Sequence, residues 1–116
     1  MDVKRGDIWL VNLDPTLGHE IKKARPAVII QNDVGNTFSP ITIIAPLTSQ
    51  HLETMYPFEA LVLKNHSGLD KDSKALLNQI RAVDKKRLVK KLGKVDVSTL
   101  EKIDEAVKIS LGLVKI

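Results

Sequence analysis

The sequence predicts a small, mainly β, α+β domain in which short, strongly bent antiparallel strands form one sheet or barrel and a single helix packs on it. Two observations carry this reading. Four or more short apolar segments follow one another at close spacing between turn residues, and only the C-terminal segment repeats its apolar residues with a helical period. At 116 residues the chain is most simply one domain, 1–116, long enough to close a core without disulfide or metal staples.

The elements follow in order. "DIWLVNL" (7–13) alternates and is bulky, which reads as a strand, and "DPTLG" (14–18) supplies turn chemistry after it. Pro26 stands at a strand entrance, where a missing N–H is tolerated, and the unbroken run at 27–30 reads as a buried strand. "NDVGN" (32–36) reads as a loop and 41–47 as a third strand, whose Pro46 predicts an edge or an irregular end. "PFEALVLK" (57–64) is a fourth strand and "NHSG" (65–68) a turn. Periodicity leaves 73–83 open between helix and strand. Ser98 with Glu101 fits a capping box, after which Leu100, Ile103, Val107, Leu111 and Val114 recur on one helical stripe.

Composition removes several classes of function. The apolar runs are far too short to span a bilayer, and no apolar signal region follows the charged residues 2–7, so a cytoplasmic protein with no membrane partner is expected. Zero cysteines exclude disulfides, thiol catalysis and thiolate metal sites. The three histidines are isolated from one another, and Asp70 and Asp72 lack the rest of a calcium loop, so no metal or other cofactor is expected. Trp9 and Phe58 are assigned to packing, because aromatic content of 3% is low for a base-stacking platform.

Charge is more telling in its distribution than in its sum of +4. Lys22, Lys23 and Arg25 form one basic cluster, and Arg81, Lys85, Lys86, Arg87, Lys90, Lys91 and Lys94 form another with only Asp84 among them. Were both on one face, a polyanion would be the natural partner. Arg25 stands just before one strand and Thr48 just after another, so two strand ends can offer a guanidinium and a hydroxyl to one phosphate. RNA suits such a pair better than DNA, since its 2′-hydroxyl is a built-in nucleophile that needs no metal-activated water.

Several ordered segments, "RGDIWLVNLDPTLGHE" from Arg5, "RPAVIIQND" from Arg25, "GNTFSP" from Gly35, "LTSQ" from Leu47, "NQIRAVDKKRL" from Asn78 and "IDEAVKISLGL" from Ile103, closely resemble the MazF/PemK family of toxin endoribonucleases. The resemblance runs nearly from end to end. It implies a small SH3-like barrel of the PemK/CcdB type, working as a homodimer. It further implies metal-independent, sequence-specific cleavage of single-stranded RNA, leaving a 2′,3′-cyclic phosphate and a 5′-hydroxyl, and a cognate antitoxin with an acidic, disordered tail as partner.

On that resemblance Arg25 and Thr48 match the family's catalytic arginine and threonine. His19, Glu20, Lys22, Lys23, Asn32, Ser49, Gln79 and Arg81 are expected to bind substrate, with His19 or Glu20 assisting proton transfer. Where many members carry glutamine and glycine this loop reads "IKKA" (21–24), and Asn78 stands where some members carry an acidic base, a role therefore not carried over. Two other functions are compatible with the sequence: a non-catalytic, CcdB-like topoisomerase inhibitor, and a basic RNA-binding module.

Overall fold

The computed structural model describes residues 2–13 and 24–116. Its strands are β1 (Asp7–Asn12), β2 (Ala24–Ile29), β3 (Ile41–Thr48), β4 (Glu59–Val62), β5 (Ser73–Leu76), β6 (Arg81–Asp84) and β7 (Leu88–Lys94); its helices are α1 (Asp33–Phe38) and α2 (Val97–Ser110). The strands pair antiparallel in the order β4-β5-β3-β2-β1-β7, with β6 also beside β3. The mainly β, antiparallel class expected from the sequence therefore holds, although among the described residues the path is not closed into a barrel: β4 and β7 are its two ends.

β3 produces the bend. Its first half, from Ile41 to Ile44, pairs with β6, while Leu47 and Thr48 pair with β5. Ala45 and Pro46 fall in the gap between the two partners, so proline occupies a site where the second ladder is interrupted. Of the two expectations for Pro46, an edge or an irregular end, the edge is overturned: β3 lies inside the sheet and changes neighbour there.

Both faces of that centre are covered, which explains the unbroken apolar run at 27–30. Val28, Ala45 and Leu47 pack with Ile8, Val62, Leu77 and the α2 residues Ile103 and Ala106. Ala27, Ile29 and Ile44 point the other way, into a second cluster with Trp9, Val11, Val83 and Leu88. Trp9 is buried, in keeping with its assignment to packing.

Three expectations are corrected and one open segment, 73–83, is assigned. Residues 32–36 do not form a loop throughout: α1 begins at Asp33, because the Asn32 side chain accepts from Gly35 N at 2.8 Å. The buried Asn36 side chain then donates to the Gln31 carbonyl at 2.9 Å and accepts from Thr42 Oγ1 at 2.7 Å. Segment 73–83 resolves as β5, a 3-10 turn at Leu77–Gln79 and β6. The N-cap of α2 is Asp96, which accepts from Thr99 N at 2.8 Å, so Ser98 lies inside the first turn. Leu111 and Val114, expected on the apolar stripe, lie beyond the last helical turn and are exposed.

Asp33 ties α1 to the N-terminal segment by accepting from Arg5 N at 2.7 Å. That hydrogen bond, and then the one from Asn36, holds its carboxyl below the usual carboxylate value. A carboxyl depressed in the folded state stabilises above its unfolded value, about 3.9, and loses that contribution as pH falls through the lower folded value. The stability gap between wild type and Asp33→Asn is accordingly expected to be widest above about pH 4 and to narrow below it. Urea midpoints measured across that range check this, and a gap independent of pH would contradict it.

Candidate active site

Strand register brings Arg25 and Thr48 to one place. β2 and β3 pair as Ala27 with Pro46, Val28 with Ala45 and Ile29 with Ile44. The same register carried two residues further sets Arg25 across from Thr48 at the open end of the ladder, while Val11 of β1 pairs with Arg25 from the other side. Arg25 is exposed and Thr48 half-buried, as a pair facing a solvent-borne ligand should be.

Both residues line two neighbouring cavities, of about 750 Å³ and about 510 Å³. The larger is also lined by Ser49, Lys71 and Lys90, with Asp70 as its carboxylate. The smaller adds Gln79, Lys74 and Tyr56. Gln50 belongs to both, and its backbone N–H donates to Thr48 Oγ1 at 3.2 Å. As acceptor in that bond, the hydroxyl keeps its proton to donate elsewhere.

One buried cation organises the smaller cavity. Lys74 lies directly opposite Thr48 in the β3–β5 ladder and is only 4% exposed. Its ammonium donates to the His51 carbonyl at 3.0 Å, the Thr54 carbonyl at 2.8 Å and Glu59 Oε1 at 2.9 Å, which uses all three N–H groups. His51 takes a left-handed backbone, φ 57°, and so turns its carbonyl into that arrangement. The sequence reading missed Lys74 because a lysine in an apolar strand is ordinarily assigned to the wet face, and nothing local marks Glu59 as its partner.

The remaining sequence-predicted residues divide three ways. Ser49 and Gln79 join the Arg25 and Thr48 cavities. His19, Glu20, Lys22 and Lys23 lie outside the described residues. Asn32 and Arg81 are not brought in: Asn32 caps α1 beyond the far end of β2 from Arg25, and Arg81 donates to the Leu13 carbonyl at 3.1 Å. The long basic cluster also disperses. Lys90 alone of it lines a cavity with Arg25, whereas Lys91 pairs with the buried Asp7 at 3.2 Å, Lys85 binds the Asn36 carbonyl, and Arg87 donates to the Asn12 carbonyl at 3.2 Å. Among the described residues no three His, Asp or Glu are grouped to hold a metal ion. No helix among them is long and apolar enough to cross a membrane.

A bent antiparallel sheet with one terminal helix, presenting an arginine and a threonine from facing strand ends, defines a class known from other chains. Residues 4–111 match the family model described as PemK-like, MazF-like toxin of type II toxin-antitoxin system, and the chain belongs to that family. It is 42% identical over 114 residues to the Endoribonuclease EndoA of Bacillus subtilis (strain 168), with 98% of each chain covered. Two solved structures share its fold. A mycobacterial endoribonuclease in complex with its cognate antitoxin matches with TM-score 0.81 at 22% identity, covering 98% of this chain and 99% of that one. A MazE-MazF crystal structure from Deinococcus radiodurans matches with TM-score 0.81 at 24% identity over the same shares.

Proposed function

We propose that this chain is a metal-independent, sequence-specific endoribonuclease toxin that cuts single-stranded RNA. The observation that carries the reading is the placement of Arg25 and Thr48 on facing strand ends, where both line the same two cavities. In the reaction the 2′-oxygen attacks the adjacent phosphorus and the bond to the 5′-oxygen breaks. The proton of the 2′-hydroxyl is balanced by one delivered to the departing 5′-oxygen. The products are a 2′,3′-cyclic phosphate and a 5′-hydroxyl, with no water consumed.

Arg25 holds two non-bridging oxygens in its fork as charge grows on them, and Thr48 donates its free proton to the same phosphate. His19 or Glu20, in the connection between β1 and β2, assists the proton transfers. The 42% identical relative, named an endoribonuclease, supports this activity. By the same reading the protein is a cytoplasmic homodimer neutralised by a cognate antitoxin. The acidic tail of that partner would lie against the basic side chains Arg25, Lys71 and Lys90, folding as it binds.

Incubation of the purified protein with a long mixed RNA in EDTA, followed by mapping of fragment ends, tests the activity. Cuts at one short sequence, ending in cyclic phosphate, are expected. Strict dependence on magnesium, or RNA bound but never cut, would overturn the proposal.

A further inference from the structure

Beside Arg25 and Thr48, the smaller cavity is lined by Tyr56, which is 52% exposed. Its ring lies parallel to that of Phe58, with centroids 5.4 Å apart and planes 5° from parallel. Phe58 stacks on the phenol, and half of Tyr56 stays exposed. The segment that carries this stack has little regular structure of its own, since residues 49–58 contain no strand or helix. What fixes it is the buried pair described above. Glu59 Oε1 accepts both from Lys74 Nζ and from Tyr56 N, at 2.9 and 3.1 Å, and Lys74 also binds the carbonyls of His51 and Thr54.

We propose that Tyr56 is a platform for the nucleobase next to the scissile phosphate, and that Lys74 and Glu59 are the positioning residues that hold it beside Arg25 and Thr48. The proposal deepens the nuclease reading and rests on it. Its chemistry is that of any sequence-tolerant single-strand site: every base has a π-face, so an aromatic ring next to a phosphate-binding group holds a nucleotide by both its halves. A cavity of about 510 Å³ is in the range of small-ligand sites and accommodates one such unit. Phe58 presets the ring, and Lys74, opposite Thr48 in the ladder, links the platform rigidly to the catalytic strand end. Little ordering is then left for the moment of binding.

The test uses the full chain and the shortest RNA that the wild type cuts. Tyr56→Ala is expected to raise KM by roughly five- to a hundredfold, the size of one base–aromatic stack, with a smaller change in kcat. Tyr56→Phe, which keeps the ring, should recover most of that loss. Lys74→Met should move KM in the same direction although Tyr56 is present, and Lys74→Arg should recover part of it. A second readout uses the same RNA with 2-aminopurine on either side of the cleaved bond and a 2′-O-methyl group blocking the nucleophile. Fluorescence quenching on binding is expected with wild type and Tyr56→Phe and should be lost in Tyr56→Ala. An unchanged KM in Tyr56→Ala, or quenching that survives it, overturns the platform while leaving the nuclease intact. A wild-type chain that cuts no RNA overturns both.

Discussion

Replacement of Arg25 by alanine is expected to lower the rate of RNA cleavage by at least about a thousandfold while the protein stays folded. Deleting a single donor aimed at developing charge costs about a hundred- to a thousandfold, and a guanidinium offers two parallel donors together with a full charge. Because Arg25 is exposed at the start of β2, its loss removes no core contact, so stability should stay within about 0.5 kcal/mol of wild type. Arg25→Lys keeps the charge but loses the planar fork and should recover only a small part of the rate. Thr48→Val, nearly isosteric, removes the remaining donor and should cost about a hundredfold. It also deprives Gln50 N of its acceptor, so some local loosening accompanies it. Initial rates on one defined RNA, with circular dichroism melts of each variant, measure both quantities. An Arg25→Ala protein that cut at the wild-type rate would remove Arg25 from the mechanism.

That prediction was within reach of the sequence because strand ends are legible there. A proline at a strand entrance and an apolar run bounded by polar residues locate Arg25 and Thr48 at ends, and facing ends of neighbouring strands meet. Their register was not legible. Nothing local to "RPAVII" or "ITIIAPLT" says that Ala27 stands opposite Pro46, and a slip of one residue would turn Thr48 to the other face. Lys74 illustrates the limit further. It reaches the site through pairing with Thr48 across 26 residues of chain, and it is tolerated in the interior only because two carbonyls and a carboxylate converge on it.

The same physics separates the elements that were read correctly from those that were not. β1 to β3 are short runs rich in bulky and β-branched residues between turn signals, and burial on both faces keeps them apolar, so length and boundaries identify them where period cannot. The six residues of α1 include a glycine, and their two apolar side chains, Val34 and Phe38, lie in solvent rather than in the core. Their helix exists because Asn32 caps it and because Asn36, buried against β3, finds partners in Gln31 and Thr42. Tertiary hydrogen bonds of that kind leave no periodic trace. Asn32, expected at the substrate on the family resemblance, caps that helix in the structure, its Oδ1 accepting from Gly35 N.

Gly68→Ala should be the most damaging of the conservative substitutions in this chain. The turn at 65–68 lies against β7 so closely that a Cβ on Gly68 would stand 2.0 Å from the Leu92 carbonyl oxygen. From the other side, a Cβ on Gly93 would stand 2.1 Å from the oxygen of Ser67. Both obstacles are backbone, which cannot swing aside as a side chain could. Gly68 also holds φ at +84°, a left-handed conformation that costs an L-residue about 1–2 kcal/mol. Overpacking adds about 1–3 kcal/mol, so Gly68→Ala should lose about 3 kcal/mol or more. At about 4 °C per kcal/mol for a domain of this size, the melting temperature falls by roughly 12 °C or more. Gly93→Ala meets the clash without a positive φ and should lose about 1 kcal/mol less. Gly112→Ala has φ +73° but open space around it, and isolates the conformational cost alone, about 4 °C. The double variant Gly68→Ala, Gly93→Ala should lose less than the sum of its parts, since one displacement of the turn from β7 relieves both contacts. Because Gly68, Leu92 and Lys90 line the larger cavity with Arg25, that displacement should also weaken RNA cleavage at temperatures where the variant remains folded. Thermal melts of the four variants decide the matter: a Gly68→Ala protein melting no lower than Gly112→Ala would show that the turn and β7 do not pack at this distance.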